Sequence, residues 1–296
     1  MVAVIAILGL VMGSFAGAQV WRLRAWQLLT DKQSGEKLTK LEQAELVRLR
    51  PLTSKPLADD RSRCLHCKHE LAVRDLVPLI SWLSTGGRCR YCKKPIGWFE
   101  PLIELSVATL FTVSFILWPF PIADFVSISI FLLWLTSLIL FVILFAYDAK
   151  WFLLPDIIIW PLLAIGSIFA VIRLMNAPDL VGALTSLLIG LVILSGLYAA
   201  LYYYSSWRSK GESSWVGFGD VKLGFVLALF LLDWQLAFLT LFVANFLGSC
   251  IAIPGLLLKI LPRGARIPFG PLLLAGFFIS MFWGQYIIDW FNKLML

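Results

Sequence analysis

Long apolar runs recur along most of the chain, near 1–21, 100–118, 124–147, 154–174, 180–204, 218–232, 235–258 and 268–290. Runs of about 17 to 25 such residues are long enough to cross a bilayer as helices, so the pattern predicts about eight spans, the sixth being the shortest. Polar positions are gathered into one long segment between the first and second runs. Within it Thr39 precedes Glu42 by three residues, a capping-box spacing that predicts a helix from Lys40 to Arg50, stopped by Pro51. Leu41, Ala44 and Leu49 give this helix a weak apolar face; a charged, solvated helix is expected, with docking on the membrane surface or on the rest of the loop as the alternative.

Composition turns this pattern into a class. Of 296 residues, 60% are hydrophobic and 15% charged, and the mean hydropathy is +0.86. Soluble globular domains lie outside that range. The expected fold is an all-α polytopic integral membrane protein with a zinc-binding loop between helices 1 and 2. It divides into a first helix (1–22, N-terminus outside), a basic cytoplasmic loop (23–98) and a transmembrane bundle (99–296).

Charge sets the orientation. Of 25 Lys and Arg residues, 16 fall between Arg22 and Lys94, which places that segment inside by the positive-inside rule, Arg22 and Arg24 carrying most weight. The first run resembles a signal peptide at Ala16-Gly17-Ala18, but its positive charges follow the apolar stretch, so a retained anchor is expected. Topology accounts for most of the net charge of +7. Lipid is therefore the expected partner and nucleic acid is not.

The loop carries two Cys-x-x-Cys knuckles, Cys64–Cys67 and Cys89–Cys92, with 21 residues between them. Each knuckle supplies two thiolates from one tight turn, and four thiolates make a closed, structural tetrahedral zinc site. A redox pair or disulfides are the alternative, disfavoured by reducing conditions on the inner side. His66 and His69 lie beside the first knuckle and are expected to be outer or exposed residues. Cys250, inside the seventh run, reads as a small buried hydrophobe.

Among the acids at or within apolar runs, where an ionised group is costly and marks function, Glu104, Asp148, Asp156 and Asp220 are singled out. Asp220 opens the sixth run, behind Gly217 and Gly219. It reads either as a functional acid or as a helix cap, while the glycines permit a backbone close enough for a substrate strand. Lys222 either snorkels to headgroups or steers a substrate acid. Asp156, after Pro155, reads as a cap. Asp148 ends the third run, where a helix dipole disfavours negative charge, so capping does not explain it. Glu104 lies about one turn inside the second run, facing a polar cavity or a basic residue of the loop.

Parity brings two of these acids together. With residues 22–98 inside, the 148–156 turn and the 205–220 loop both fall on the inner face, as does Pro262–Pro271, whose Pro268 and Gly270 break helix and suit a cavity lining. Two aspartates at one membrane face suggest an aspartyl protease, in which one carboxyl keeps a proton while the other activates water. A transporter or scaffold using the aspartates as a proton relay is the competing class.

The ordered set of Gly13-Ser14-Phe15, the two knuckles flanking Val77–Leu83, Pro101–Leu105, Asp148 with Leu154-Pro155-Asp156, Gly217–Leu223 and Ile267–Pro271 resembles the type IV prepilin peptidase family. The resemblance covers most of the chain. It implies that Asp148 and Asp220 are catalytic and that Gly217, Gly219, Lys222, Glu104, Pro268 and Gly270 support the motifs. It further implies that the substrates are prepilins or pseudopilins, cut after a basic leader at the cytoplasmic face of a bacterial inner membrane. It also implies S-adenosylmethionine as donor for methylating the new N-terminus, with the cysteine loop as the associated region. Two features depart from the family pattern. Gly17 stands where an asparagine is common, and 31–60 is longer than the usual linker. No glycine-rich nucleotide loop is present.

Overall fold

The computed structural model describes residues 1–53, 61–118, 122, 124–209, 216–260, 262 and 267–295. It divides into two compact units, Met1–Pro121 and Ile122–Leu296. Among the described residues it is built from helices, seven of them long and apolar enough to cross a membrane.

The first unit pairs α1 (Val2–Gln33) with α4 (Phe99–Ile116). Small residues let the two backbones approach. A Cβ at Gly9 would stand 2.6 Å from Ala108 Cα, and one at Gly13 would stand 2.6 Å from Glu104 Cα. The small-residue surface is thus a packing seam.

Helix α1 runs a dozen residues past the apolar stretch, because the polar segment folds back onto it. The short helix α2 (Lys40–Leu49) carries the expected capping box at Thr39. Its buried face is Leu46 and Leu49, whereas Leu41 is 84% exposed. Leu49, Leu52 and Ala25 form a small core against Trp21 and Leu65. Arg24, almost fully buried, pairs with Glu45 at 3.0 Å and Glu42 at 3.5 Å. The expected solvated helix is therefore a docked one, since ordering a long loop requires both an apolar contact and a partner for the buried guanidinium.

The rest of the loop holds a short helix α3 (Ile80–Ser84) and the two knuckles. Asp75 organises it, with Arg90 Nε at 2.8 Å, Tyr91 Oη at 2.9 Å and Ala72 N at 3.2 Å all donating to its carboxylate. Burial works against the charge, but the Arg90 and Tyr91 donors outweigh it and hold Asp75 below the usual carboxylate range.

The second unit contains α5 (Phe125–Trp151), α6 (Asp156–Met175), α7 (Leu180–Leu191), α8 (Leu197–Arg208), α9 (Phe218–Leu231), α10 (Trp234–Leu257) and α11 (Phe269–Met295). Helices α7 and α8 are one continuous rod through a π-turn at Val192–Gly196. The sixth expected span, α9, has 14 residues, about 21 Å at 1.5 Å per residue and short of a bilayer core of about 30 Å. Ten of its 14 residues are buried, so neighbouring helices shield most of it and it need not match the membrane. An aromatic cluster of Trp134, Phe141, Phe230 and Phe277 centres this unit, with Phe141–Phe230 at 5.3 Å and Phe141–Phe277 at 5.2 Å between centroids. At the far end of α9, Arg173 donates to the Phe230 and Leu231 carbonyls at 3.0 and 2.9 Å, satisfying helix-end acceptors.

Candidate active site

Asp148 occupies the last turn of α5, which ends on Phe152 in the left-handed region (φ 58°). That reversal starts the 152–155 turn and leaves the Asp148 side chain inside the unit, 5% exposed. Its Oδ2 accepts the backbone N–H of Gly270 at 3.0 Å. A Cβ at position 270 would lie 2.6 Å from the same oxygen, so only glycine brings an amide this close. Gly270 stands in the first turn of α11, where amides have no helical partner and the dipole favours a negative charge.

Asp220 is 9% exposed and sits in the first turn of α9. The N-cap is Gly217, and the Asp220 amide donates to the Gly217 carbonyl at 3.1 Å. The Gly217 amide in turn interacts with the Asp220 carboxylate. The capping and functional readings of this acid are thus compatible.

Leu154 links the two aspartates. A Cβ at Gly219 would meet Leu154 Cβ at 3.0 Å, and one at Gly270 would meet Leu154 Cδ2 at 3.5 Å. The end of α5, the start of α9 and the start of α11 therefore converge on one turn, and the two carboxylates act on each other electrostatically. Parity expected this meeting.

Lys222 and Asp156 are also joined. The Lys222 ammonium reaches Asp156 at 2.6 and 2.9 Å and lies 5.4 Å from the Phe218 ring centroid. The helix cap of α6 is Pro155, and Asp156 is the first helical residue. The cap expected at Asp156 is thus a cross-helix ion pair instead. Pro268 is non-helical and stands just before α11, whereas Gly270 and Pro271, expected to break helix, lie in its first turn, where a helix tolerates both; 263–266 of the same expected lining lie outside the described residues.

In the first unit the four Sγ atoms of Cys64, Cys67, Cys89 and Cys92 lie within 4.8 Å of one another, Cys64 and Cys92 being 3.9 Å apart. Tetrahedral Zn–S bonds of about 2.3 Å require sulfurs roughly 3.8 Å apart, so the donor set fits a metal ion. The knuckles repeat one geometry. Lys68 and Lys93 follow with φ of 62° and 59°, Cys64 N donates to His69 O at 3.0 Å and Cys89 N to Lys94 O at 2.9 Å, and Arg63–Glu70 and Arg88–Pro95 form matching bridges. Burial pushes the Cys64 thiol up to about 12. At Cys89 burial is outweighed by the amides of Cys92 and Tyr91, and the thiol falls to about 7. His66 and His69 are exposed, His69 stacking on Tyr91 at 3.7 Å, and neither joins the cluster.

Glu104, 7% exposed, accepts the Leu79 amide of the cysteine loop at 2.8 Å and a hydrogen bond from Ser14. It borders a cavity of about 200 Å³ that also touches Trp21, Arg63, Trp82, Tyr91 and Glu100. Its partner is thus a loop amide and not the basic residue considered from sequence, although the cavity it faces is as expected. Cys250 is exposed on α10, correcting the buried reading, because an apolar run does not distinguish a lipid-facing position from a buried one.

Residues 7–118 match the Bacterial Peptidase A24 N-terminal domain and residues 134–253 the Type IV leader peptidase family. A prepilin leader peptidase/N-methyltransferase of Pseudomonas aeruginosa is 30% identical over 286 residues, covering 95% of this chain and 90% of the relative. The chain belongs to the type IV leader peptidase family. Further leader peptidases of that description are 30% identical in Stutzerimonas stutzeri (95% of this chain, 90% of the relative) and 32% identical in Aeromonas hydrophila (78% and 74%). No solved structure matches the chain. The two leader peptidase matches fall one on each compact unit, the cysteine cluster in the first and the aspartate pair in the second. Sequence reasoning named Gly270 without its role as amide donor, and it did not single out Tyr198, whose buried hydroxyl is within electrostatic reach of Asp220.

Proposed function

We propose that Asp148 and Asp220 form a water-activating pair that cleaves the basic leader from prepilins or pseudopilins at the cytoplasmic face of the inner membrane. The observation that carries this reading is two buried carboxylates from different helices held on one turn, at the end of a membrane bundle. Uncompensated acids are costly there, and a shared proton lowers the cost while equipping one carboxyl as acid and the other as base. The Gly270 amide can only donate, and a donor stabilises a carboxylate more than a carboxylic acid, so Asp148 takes the water proton. Asp220 then donates its proton to the scissile carbonyl; as the tetrahedral diol collapses, the proton on Asp148 passes to the leaving amine and a diol hydroxyl returns its proton to Asp220, restoring the pair. Cleavage of a prepilin-like substrate by the wild type, Asp148→Asn and Asp220→Asn tests this. Each variant is expected to lose at least about 10³-fold in kcat; near-normal turnover in either rejects the pair.

A second activity, methylation of the new N-terminus, is supported by the cavity of the first unit. S-adenosylmethionine carries a carboxylate, an amine, a sulfonium and an adenine, and supplies an electrophilic methyl group when bound. The cavity presents complementary groups, namely buried Arg63 Nε and Glu100 Oε2, neither of which has a hydrogen-bond partner, together with Trp21 and Tyr91. Arg63 would hold the carboxylate and Glu100 the cationic end. Glu100→Gln is expected to weaken equilibrium binding of S-adenosylmethionine about 10-fold. Unchanged binding would remove Glu100 from the site. Zinc is the ion proposed for the four cysteines, in a structural role.

A further inference from the structure

Among the described residues of the second unit, two buried hydroxyls are left without a bond of their own, those of Ser280 and Tyr198, and that of Tyr198 lies within electrostatic reach of Asp220. Tyr198 is 6% exposed and its hydroxyl is buried; its hydrogen-bonding neighbour is the Asn245 amide nitrogen, which can only donate, so the phenol O–H has no acceptor. Leaving a phenol unsatisfied is unfavourable, since its O–H loses water and gains nothing.

Its position is fixed with care. The π-turn at Val192–Gly196 directly precedes α8, and such turns cost regular hydrogen bonding and collect at functional sites. This one is locked to the first turns of α9. Ser195 Oγ donates to the Val221 carbonyl at 3.0 Å, and Gly224 packs so closely on Leu194 that any Cβ would overlap the Leu194 carbonyl oxygen. Tyr198 follows this π-turn, in the first turn of α8. Its ring packs on Phe269 at 5.1 Å between centroids, and Phe269 precedes the Gly270 amide that holds Asp148. Asp220 lies within electrostatic reach of the hydroxyl, whose oxygen faces the Asn245 amide as a hydrogen-bond donor; that amide also donates to Leu241 O at 2.8 Å.

We infer that Tyr198 is a third catalytic residue, whose hydroxyl donates a hydrogen bond to the scissile carbonyl oxygen as that oxygen gains negative charge. The inference rests on the aspartate-pair reading. A donor aimed at developing charge in a site closed to water acts on the transition state more than on bound substrate. An O–H held without an acceptor in the free protein meets that requirement, because it gives up no existing bond when substrate arrives.

The test is Tyr198→Phe in the full chain, reconstituted in nanodiscs, alongside Asp148→Asn and Asp220→Asn. A prepilin-like peptide serves as substrate, and the same peptide with a hydroxyethylene group replacing the scissile amide serves as a tetrahedral mimic. Tyr198→Phe is expected to lower kcat about 10²-fold, to leave KM within about threefold, and to weaken the mimic by a factor matching the kcat loss. Thermal stability should be unchanged or slightly raised, because the variant removes an unsatisfied group. A kcat within threefold of wild type overturns the inference. So does a loss of kcat accompanied by a fall in melting temperature with the mimic still bound normally, which would make Tyr198 structural. If the aspartate variants also keep their turnover, the underlying pair reading fails; if they are inactive while Tyr198→Phe is active, only the role of Tyr198 fails.

Discussion

The Gly270 amide donates to Asp148 Oδ2 at 3.0 Å across 122 residues of chain. This joins the start of the last helix to the end of α5, and it brings a backbone donor to one carboxylate of the proposed pair. Gly270→Ala places a methyl 2.6 Å from the carboxylate oxygen, so either the carboxylate turns or α11 withdraws. Both outcomes remove a hydrogen bond to a charged group, worth about 1.5–3 kcal/mol. The expected result is a fall in kcat of about 10- to 100-fold with the protein still folded and its metal content unchanged. Turnover at the wild-type level would show that the amide has no part in the chemistry.

How much of this was legible beforehand depends on what hydropathy can report. Seven spans were readable because about twenty apolar residues in succession have few other uses. The aspartate pair was readable because acids are rare in such runs, and Asp148 stood where no cap could explain it. The extension of α1 was not, since Arg24 looks like a topogenic charge until Glu42 and Glu45 bury it. Nor was the docked face of α2, because Leu41 and Leu46 are equally apolar and only the tertiary contact chooses between them. Cys250 shows the same limit inside the membrane, where lipid and protein interior are both apolar. The Gly270 contact is made by the main chain, and the π-turn before Tyr198 has no side-chain signature, so neither was visible.

The cysteine cluster predicts a metal dependence confined to the loop. Metal analysis of the purified protein should give about one zinc per chain, and Cys64→Ser with Cys89→Ser should give none. The two matched knuckles have little apolar core of their own, so stripping the metal is expected to raise amide exchange across 62–96 sharply. Full zinc retention in the double variant would sink the site, and unchanged exchange after chelation would make the ion dispensable for the fold.

Asp75 predicts an acid sensitivity for the same loop. Its folded-state pKa lies below the unfolded value of about 3.9. The stability it contributes is therefore fully present above that pH and is lost as pH falls through the folded value. Amide exchange over 72–92 should accelerate below about pH 4, and Asp75→Asn should show fast exchange at neutral pH with a flatter acid response. A variant that exchanges like the wild type at neutral pH would show that the Arg90 and Tyr91 contacts do not hold the loop.

Lys222 lies two residues beyond Asp220, close enough to invite a role in binding substrate. Its ammonium is committed elsewhere, at 2.6 and 2.9 Å from the two oxygens of Asp156. The side chains are 32% and 55% exposed, and exposed pairs of this kind contribute at most about 1 kcal/mol. Lys222→Met and Asp156→Asn should therefore each leave kcat within about threefold and alter thermal stability only slightly. The double variant should be no worse than the poorer single one, with a coupling of at most about 1 kcal/mol by double-mutant cycle. The informative contrast is between the two single variants, since loss of the pair affects them alike, whereas a substrate contact made by Lys222 affects only one. A large rise in KM for Lys222→Met, with Asp156→Asn normal, would move Lys222 from joining α6 to α9 into the recognition of substrate.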